Sequence, residues 1–158
     1  MTRDDVIRST AEHIIKVGLN LAAVVHRLSC RAVSHDHSKW SEEEWPSFER
    51  ATPRLAEVEY GTEEYKQCLR DIRPAVDLHQ QRNRHHPEYY GEGIYGMSLL
   101  DLIEMLADWK AASERNKNGN LRASLEHNGK RFRIDKQLYA VLCNTAHELG
   151  WFEDAERE

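Results

Sequence analysis

The chain has 158 residues, of which 40% are hydrophobic, so it is long and apolar enough to form one domain with a buried core. Its 27 acidic and 22 basic side chains give a formal net charge of -5, which argues against a general nucleic-acid binder because such proteins usually carry a basic excess. The longest apolar run, residues 14–25, is too short to cross a bilayer. The three cysteines form no CxxC pair, which predicts reduced thiols. We therefore expect a cytoplasmic protein without membrane association, folded as a single domain over residues 1–158 with a loose acidic tail at 153–158.

The N-terminal segment has the pattern of a long amphipathic helix. Thr2 and Asp5 are spaced as a capping pair, and apolar residues then recur at helical spacing as far as Leu28. His13 lies on the same stripe as Val17, so we expect its side chain to face the core. On spacing alone, His13 fits either a hydrogen-bonded core residue or a metal ligand.

A histidine and an aspartate are adjacent near the expected end of this helix. His35 and Asp36 can both reach one ion, because imidazole nitrogen and carboxylate oxygen are good ligands for divalent metals. The pair becomes a metal site only if other parts of the chain supply further ligands.

The next segment predicts a short helix. Ser41 and Glu44 are spaced as a second capping box, and Pro53 is expected to mark the end of the helix. Acidic side chains are favourable at a helix N-terminus, so the acidic run that ends at Glu44 is interpreted as structural.

Two adjacent histidines follow a longer predicted helix. That helix is expected to reach His79 and to kink or break at Pro74. His79 and His86 are seven residues apart, about 11 Å along an unbroken helix, so they can bind one ion only if the helix ends between them. Pro87 favours an extended conformation at His86. We therefore expect the pair His85 and His86 at the frayed end of the helix.

A further helix carries an acidic stripe. Ser98 and Asp101 predict its capped start, and Asp101, Glu104 and Asp108 then lie on one face. Such a stripe is usually solvated, but Asp108 is flanked by apolar residues on both sides. A burial of this carboxylate would require a cation partner. Both interpretations of Asp108, metal ligand and solvated carboxylate, remain open on these grounds.

The C-terminal part predicts two more helices. One is short and covers residues 121–127, and the other begins after the cap residue Asp135 and ends at Gly150. No alternating apolar pattern is long enough to predict a sheet. The fold class predicted for the whole chain is all-α, a single-domain bundle of about six helices.

The order of these groups along the chain resembles that of the HD superfamily of metal-dependent phosphohydrolases. The order is His13, His35 and Asp36, His85 and His86, and finally Asp108. Residues 35–39 are similar to the HDxGK segment of the HD-GYP phosphodiesterases, with Ser38 in place of the glycine. Residues 85–96 resemble a decayed form of the HHE and GYP elements of the same phosphodiesterases. The strings HDHSK, NRHHPEYY and EMLADW are most similar to an uncharacterised family of small HD-like proteins of phage and bacteria.

The resemblance implies an HD-type helical fold and a centre with one or two divalent ions. It does not distinguish among Mn, Fe, Mg, Co, Ni and Zn. The first ion would be held by His13, His35, Asp36 and Asp108. A second ion would be held by His85 and His86, with His79 as a further candidate.

The activity implied by the resemblance is hydrolysis of a phosphate ester, in first place a nucleotide, as a monoester or a diester, with a metal-activated water as nucleophile. Lys39 stands where the small HD nucleotidases have a catalytic glutamate, and it would hold a phosphoryl oxygen. Arg82, Asn83 and Arg84 would bind the substrate. Glu104 would support a metal ligand or accept a proton. The resemblance also suggests a homodimer.

Two other functions fit the same residues. Some proteins with HD-like helices are diiron oxygenases. If this chain is one of them, it should contain iron and consume oxygen. Alternatively, the chain is a non-catalytic, phage-type protein that keeps a metal and binds a host partner through Trp151 and Phe152. Metal binding without turnover of phosphate esters would favour that third function.

Overall fold

The computed structural model describes residues 1–58, 62–115 and 119–152. Within these ranges the regular secondary structure is helical and contains no strand, which confirms the predicted all-α class. Three short 3-10 helices cover His37–Trp40, Pro87–Tyr89 and Gly93–Gly96. The α-helices of the described chain are α1 (Arg3–Ser34), α2 (Trp45–Glu57), α3 (Glu63–Arg82), α4 (Leu99–Glu114), α5 (Leu121–Arg131) and α6 (Lys136–Glu148). None of these helices is both long and apolar enough to span a membrane. The predicted acidic tail, residues 153–158, lies outside the described residues.

The chain divides into two compact units, Met1–His35 and Asp36–Glu158, and the single domain expected over residues 1–158 stays a prediction. The first unit is α1, which begins with the predicted capping box between Thr2 and Asp5. No residue of α1 is buried, and His13 is exposed. One helix by itself has no second element against which its apolar stripe can pack, so the expectation that His13 faces a core stays a prediction.

A buried core cluster of the second unit forms where α4 packs on α5 and α5 on α6. Met105 and Leu106 of α4 and Leu125 of α5 are fully or almost fully buried. The ring of Trp109 is parallel to that of Phe132, with centroids 6.2 Å apart. The other buried members of this core cluster are Leu102, Leu121, Leu142 and Ala146.

Trp151 and Phe152, the expected contact for a host partner, pack against the core cluster. Both are half-buried, and the guanidinium of Arg122 lies 4.5 Å from the centroid of the Phe152 ring. These aromatic side chains therefore stabilise the second unit, and the surface that suggested a binding partner is largely used for packing.

The helices α2 and α3 pack against each other. Two sequence predictions about α2 are wrong. Pro53 lies inside the helix, which continues to Glu57, because packing against α3 offsets the loss of one backbone hydrogen bond. The N-cap position belongs to Glu44, whose side chain makes no capping hydrogen bond, whereas Ser41 lies three residues earlier and accepts a hydrogen bond from the Glu44 N–H at 3.3 Å.

One side chain caps the N-terminus of α6. Oδ1 of Asp135 accepts hydrogen bonds from the N–H groups of Gln137 at 2.8 Å and Leu138 at 2.9 Å, as the sequence predicts. We expect Asp135→Ala to lower the free energy of unfolding by about 0.5–2 kcal/mol, and Asp135→Asn to lower it less because asparagine is also a good cap. Urea denaturation measures both. Equal stability of wild type and Asp135→Ala would contradict this role.

Candidate metal centre

Asp36, the first residue of the second unit, has a left-handed backbone conformation with φ 58° and ψ 14°. Among residues other than glycine, aspartate and asparagine tolerate this conformation best. Oδ2 of Asp36 accepts a hydrogen bond from Nζ of Lys39 at 2.5 Å. Oδ1 lies 3.0 Å from Nε2 of His79 and 3.3 Å from Nε2 of His85. Oδ1 of Asp36 thus contacts two imidazole rings. The left-handed backbone conformation of Asp36 is of a kind that is concentrated at functional sites.

His79 lies in the last turn of α3 and is buried. Its two ring nitrogens face different carboxylates, since Nε2 approaches Asp36 and Nδ1 lies 3.0 Å from Oε2 of Glu44. Oγ of Ser38 and Nδ2 of Asn83 each lie 3.0 Å from the same Nδ1. The ring is therefore fixed on its Nδ1 side and directs Nε2 towards Asp36.

His85 and His86 follow the end of α3 at Arg82. Because the helix ends before them, the rings of His79 and His86 come to a centroid distance of 5.0 Å. The ring of His85 is buried, and its Nδ1 lies 3.3 Å from Oε1 of Glu104 on α4. The condition for a shared site, a helix end between His79 and His86, is thus met.

Four side chains form one group of potential metal ligands, the four-ligand group. Each offers one ligand atom, and these atoms lie within 4.8 Å of one another. The members are Asp36, His79, His85 and His86. Nε2 of His79 and Nε2 of His86 are buried and make no hydrogen bond, which is costly unless another partner supplies the missing interaction. A bound cation would supply it, so these residues are suited to hold a metal ion.

The electrostatics of the group favour the protonation states that bind metal. Burial raises the pKa of the Asp36 carboxyl, but its short contacts with His79, His85 and Lys39 outweigh burial and hold this pKa well below its usual range. Burial and the two neighbouring imidazoles lower the pKa of His86 to about 3. At neutral pH the carboxylate is therefore ionised and the His86 ring is neutral, as metal ligation requires.

Three predicted ligands lie outside the four-ligand group. His13 is exposed on α1 and belongs to none of the potential ligand groups among the described residues. His35 is the C-cap residue of α1 and directly precedes Asp36 in the chain. Asp108 is half-buried on α4, and its charge raises the pKa of His86 against the larger effect of burial. Metal binding by His13, His35 and Asp108 stays a prediction.

Arg84, a predicted substrate contact, pairs with the buried carboxylate of Asp101, although its own side chain is 54% exposed. Its Nε lies 3.3 Å from Oδ1 of Asp101 and its Nη2 lies 3.4 Å from Oδ2. Asp101 is fully buried, which corrects the expectation of a solvated acidic face at this position. Its Oδ2 also accepts hydrogen bonds from the Tyr90 hydroxyl at 2.8 Å and the Ser98 hydroxyl at 2.7 Å. This network attaches the turn that contains Arg84, His85 and His86 to the start of α4.

The other predicted substrate contacts differ in their exposure. Asn83 donates a hydrogen bond to the main-chain carbonyl of His79 at 2.8 Å and so holds the end of α3. Lys39 pairs with Asp36, but its side chain is 30% exposed. Arg82 is 41% exposed and lies 3.5 Å from Oε2 of Glu43. The three predicted substrate cations, Lys39, Arg82 and Arg84, thus all remain partly accessible.

Sequence reasoning missed Glu44. The acidic run was explained by the helix dipole, but this side chain is fully buried and contacts His79 across 35 residues of sequence. A contact of this range leaves no signal in local spacing. One local hint was Ser38, which replaces the glycine of the related motif and donates a hydrogen bond to Glu44 at 3.1 Å.

No curated protein and no solved structure matches the chain at a significant level. A family model described as a family of unknown function, DUF5662, matches residues 2–148. The matched range includes the four-ligand group together with Glu44 and Glu104. Because the match covers nearly the whole sequence, the chain belongs to the DUF5662 family.

Proposed function

We propose that this chain is a metal-dependent hydrolase of a phosphate ester, with a nucleotide as the leading candidate for the substrate. The observation that carries the proposal is the four-ligand group, in which buried imidazole nitrogens without hydrogen bonds converge with a carboxylate oxygen. Three nitrogen ligands and one oxygen ligand favour zinc, iron or nickel over magnesium and manganese, which suit oxygen ligands. The resemblance of the motifs to the HD superfamily supports the substrate class.

A divalent ion held by this group would lower the pKa of a water molecule and polarise a phosphoryl oxygen. The chain itself keeps the ligands in place. Glu104 holds the Nδ1 side of His85, and the contacts of Asp36 with His79, His85 and Lys39 keep its carboxylate ionised. The partly exposed ammonium of Lys39 is placed to stabilise the negative charge that develops on the phosphoryl oxygens. Arg82 provides a second accessible cation, 4.0 Å from Oε1 of Glu44.

We expect Lys39→Ala to lower kcat/KM for the hydrolysed ester by about 100-fold, the usual effect of removing one group that stabilises transition-state charge. Metal binding should persist, because the substitution removes a positive charge next to a metal ligand. The measurement is phosphate release from nucleoside mono-, di- and triphosphates and cyclic dinucleotides by metal-loaded protein. Lys66→Ala is the matched control, since Lys66 is exposed and pairs with Glu63.

The proposed function fails if protein that retains bound metal hydrolyses none of these esters. Oxygen consumption by the iron-loaded protein would then support the oxygenase function instead. Full activity of Lys39→Ala would remove Lys39 from the reaction and leave the hydrolase function standing.

A further inference from the structure

Glu44 is a buried carboxylate that the proposed reaction does not use directly. Its side chain is 0% exposed, whereas its neighbour Glu43 is 59% exposed. A fully buried carboxylate is costly unless hydrogen bonds compensate for lost hydration. The donors around Glu44 therefore indicate what the residue is kept for.

Asn83 and Ser38 supply the hydrogen-bond donors around Glu44 and His79. Nδ2 of Asn83 has two hydrogens, and it donates to the carbonyl oxygen of His79 at 2.8 Å and to Oγ of Ser38 at 2.7 Å. The Ser38 hydroxyl accepts that hydrogen bond and donates its own proton to Oε2 of Glu44 at 3.1 Å. Both amide hydrogens and the hydroxyl proton are then used.

The remaining contact determines the state of the His79 ring. Nδ1 of His79 lies 3.0 Å from Oε2 of Glu44, the oxygen that already accepts the hydrogen bond of Ser38. Nδ1 therefore carries a proton and donates it to Glu44. The 3.0 Å approach of Asn83 Nδ2 to the same Nδ1 is a packing contact, because Asn83 has no hydrogen left for it.

We infer that Glu44 is a positioning residue that holds the proton of His79 on Nδ1 and so reserves Nε2 for a metal ion. Nε2 is the buried atom that makes no hydrogen bond and lies 3.0 Å from Oδ1 of Asp36. Partners of this kind fix both the orientation of an imidazole ligand and its tautomer. The inference rests on the metal-binding part of the proposed function.

Glu104 is placed in a similar way on His85, at 3.3 Å from its Nδ1. The contact of Glu44 is shorter, and Ser38 supplies a second donor to the same carboxylate oxygen.

Glu44→Gln tests the inference, because glutamine keeps the shape of the side chain and removes its charge. We expect the affinity for Zn²⁺, measured by isothermal titration against a competing chelator, to fall by about 10–100-fold. Glu43→Gln is the matched control and should bind Zn²⁺ as the wild type does. Glu44→Asp restores the charge at shorter reach and should recover part of the affinity. A folded Glu44→Gln protein with wild-type affinity would overturn the inference.

A second measurement needs neither metal nor a variant. Two-bond ¹H–¹⁵N correlation spectra of the metal-free wild-type protein report which ring nitrogen of His79 is protonated. A protonated Nδ1 is expected, and an Nδ1 without a proton would overturn the inference even if Glu44→Gln does not fold. Neither measurement involves hydrolysis, so a failure of the proposed activity would be seen separately, as metal-loaded protein that releases no phosphate.

Discussion

Asp36→Asn is expected to remove most of the metal affinity while the protein stays folded. The carboxylate of Asp36 is the one anionic member of the four-ligand group, and its amide replacement is uncharged and a weak ligand. Asparagine tolerates the left-handed conformation at this position about as well as aspartate does, so the backbone need not change. Because the loss of a residue that only supports a ligand costs about 10–100-fold in affinity, we expect a loss of at least about 100-fold here.

The measurements are metal content after gel filtration and isothermal titration with Zn²⁺, with circular dichroism to confirm the fold. Asp71→Asn is the matched control, because Asp71 is exposed on α3 and pairs with Arg54. Zinc at 100 times its Kd should stabilise the wild type and the control by about 2.7 kcal/mol and stabilise Asp36→Asn much less. Wild-type affinity in folded Asp36→Asn would show that the ion is bound without this carboxylate.

Local signals in the sequence were sufficient to predict most helix boundaries. The capping boxes at Thr2 and Ser98 and the cap at Asp135 are all present, since each depends on atoms within about three residues. Gly150 follows α6 with φ 66°, a conformation that glycine adopts without strain. Pro53 failed as a signal because the packing of α2 against α3, which local sequence does not contain, decides where that helix ends.

The residue types of the candidate metal ligands could be predicted from the sequence. The hydrogen bonds and ion pairs that hold them in place could not. His79, His85 and His86 were selected by the chemistry of imidazole, but their convergence depends on the end of α3, where helix boundaries are hardest to predict. The contact of Glu44 with His79 and the pairing of Arg84 with Asp101 join different helices and turns. Such contacts follow from tertiary packing, so local sequence indicated only a helix-dipole role for Glu44 and only a role as a substrate contact for Arg84.

Leu125→Ala is expected to cause the largest loss of stability among the substitutions considered. Leu125 lies on α5 at 0% exposure and belongs to the core cluster shared by α4, α5 and α6. Removing its side-chain carbons takes away buried apolar contacts and leaves a cavity that neighbouring helices fill only in part. The free energy of unfolding should therefore fall by about 2–5 kcal/mol, measured by urea denaturation.

Leu69→Ala makes the same chemical change on α3, where Leu69 is 41% exposed, and it should alter the free energy of unfolding by less than about 1 kcal/mol. Leu125 belongs to neither the four-ligand group nor its supporting carboxylates. Folded Leu125→Ala protein should therefore bind Zn²⁺ with nearly wild-type affinity. A loss of affinity that matches the loss of stability would mean that the packing of α5 and α6 also sets the geometry of the histidines. A cost similar to that of Leu69→Ala would mean that the core cluster relaxes around the cavity.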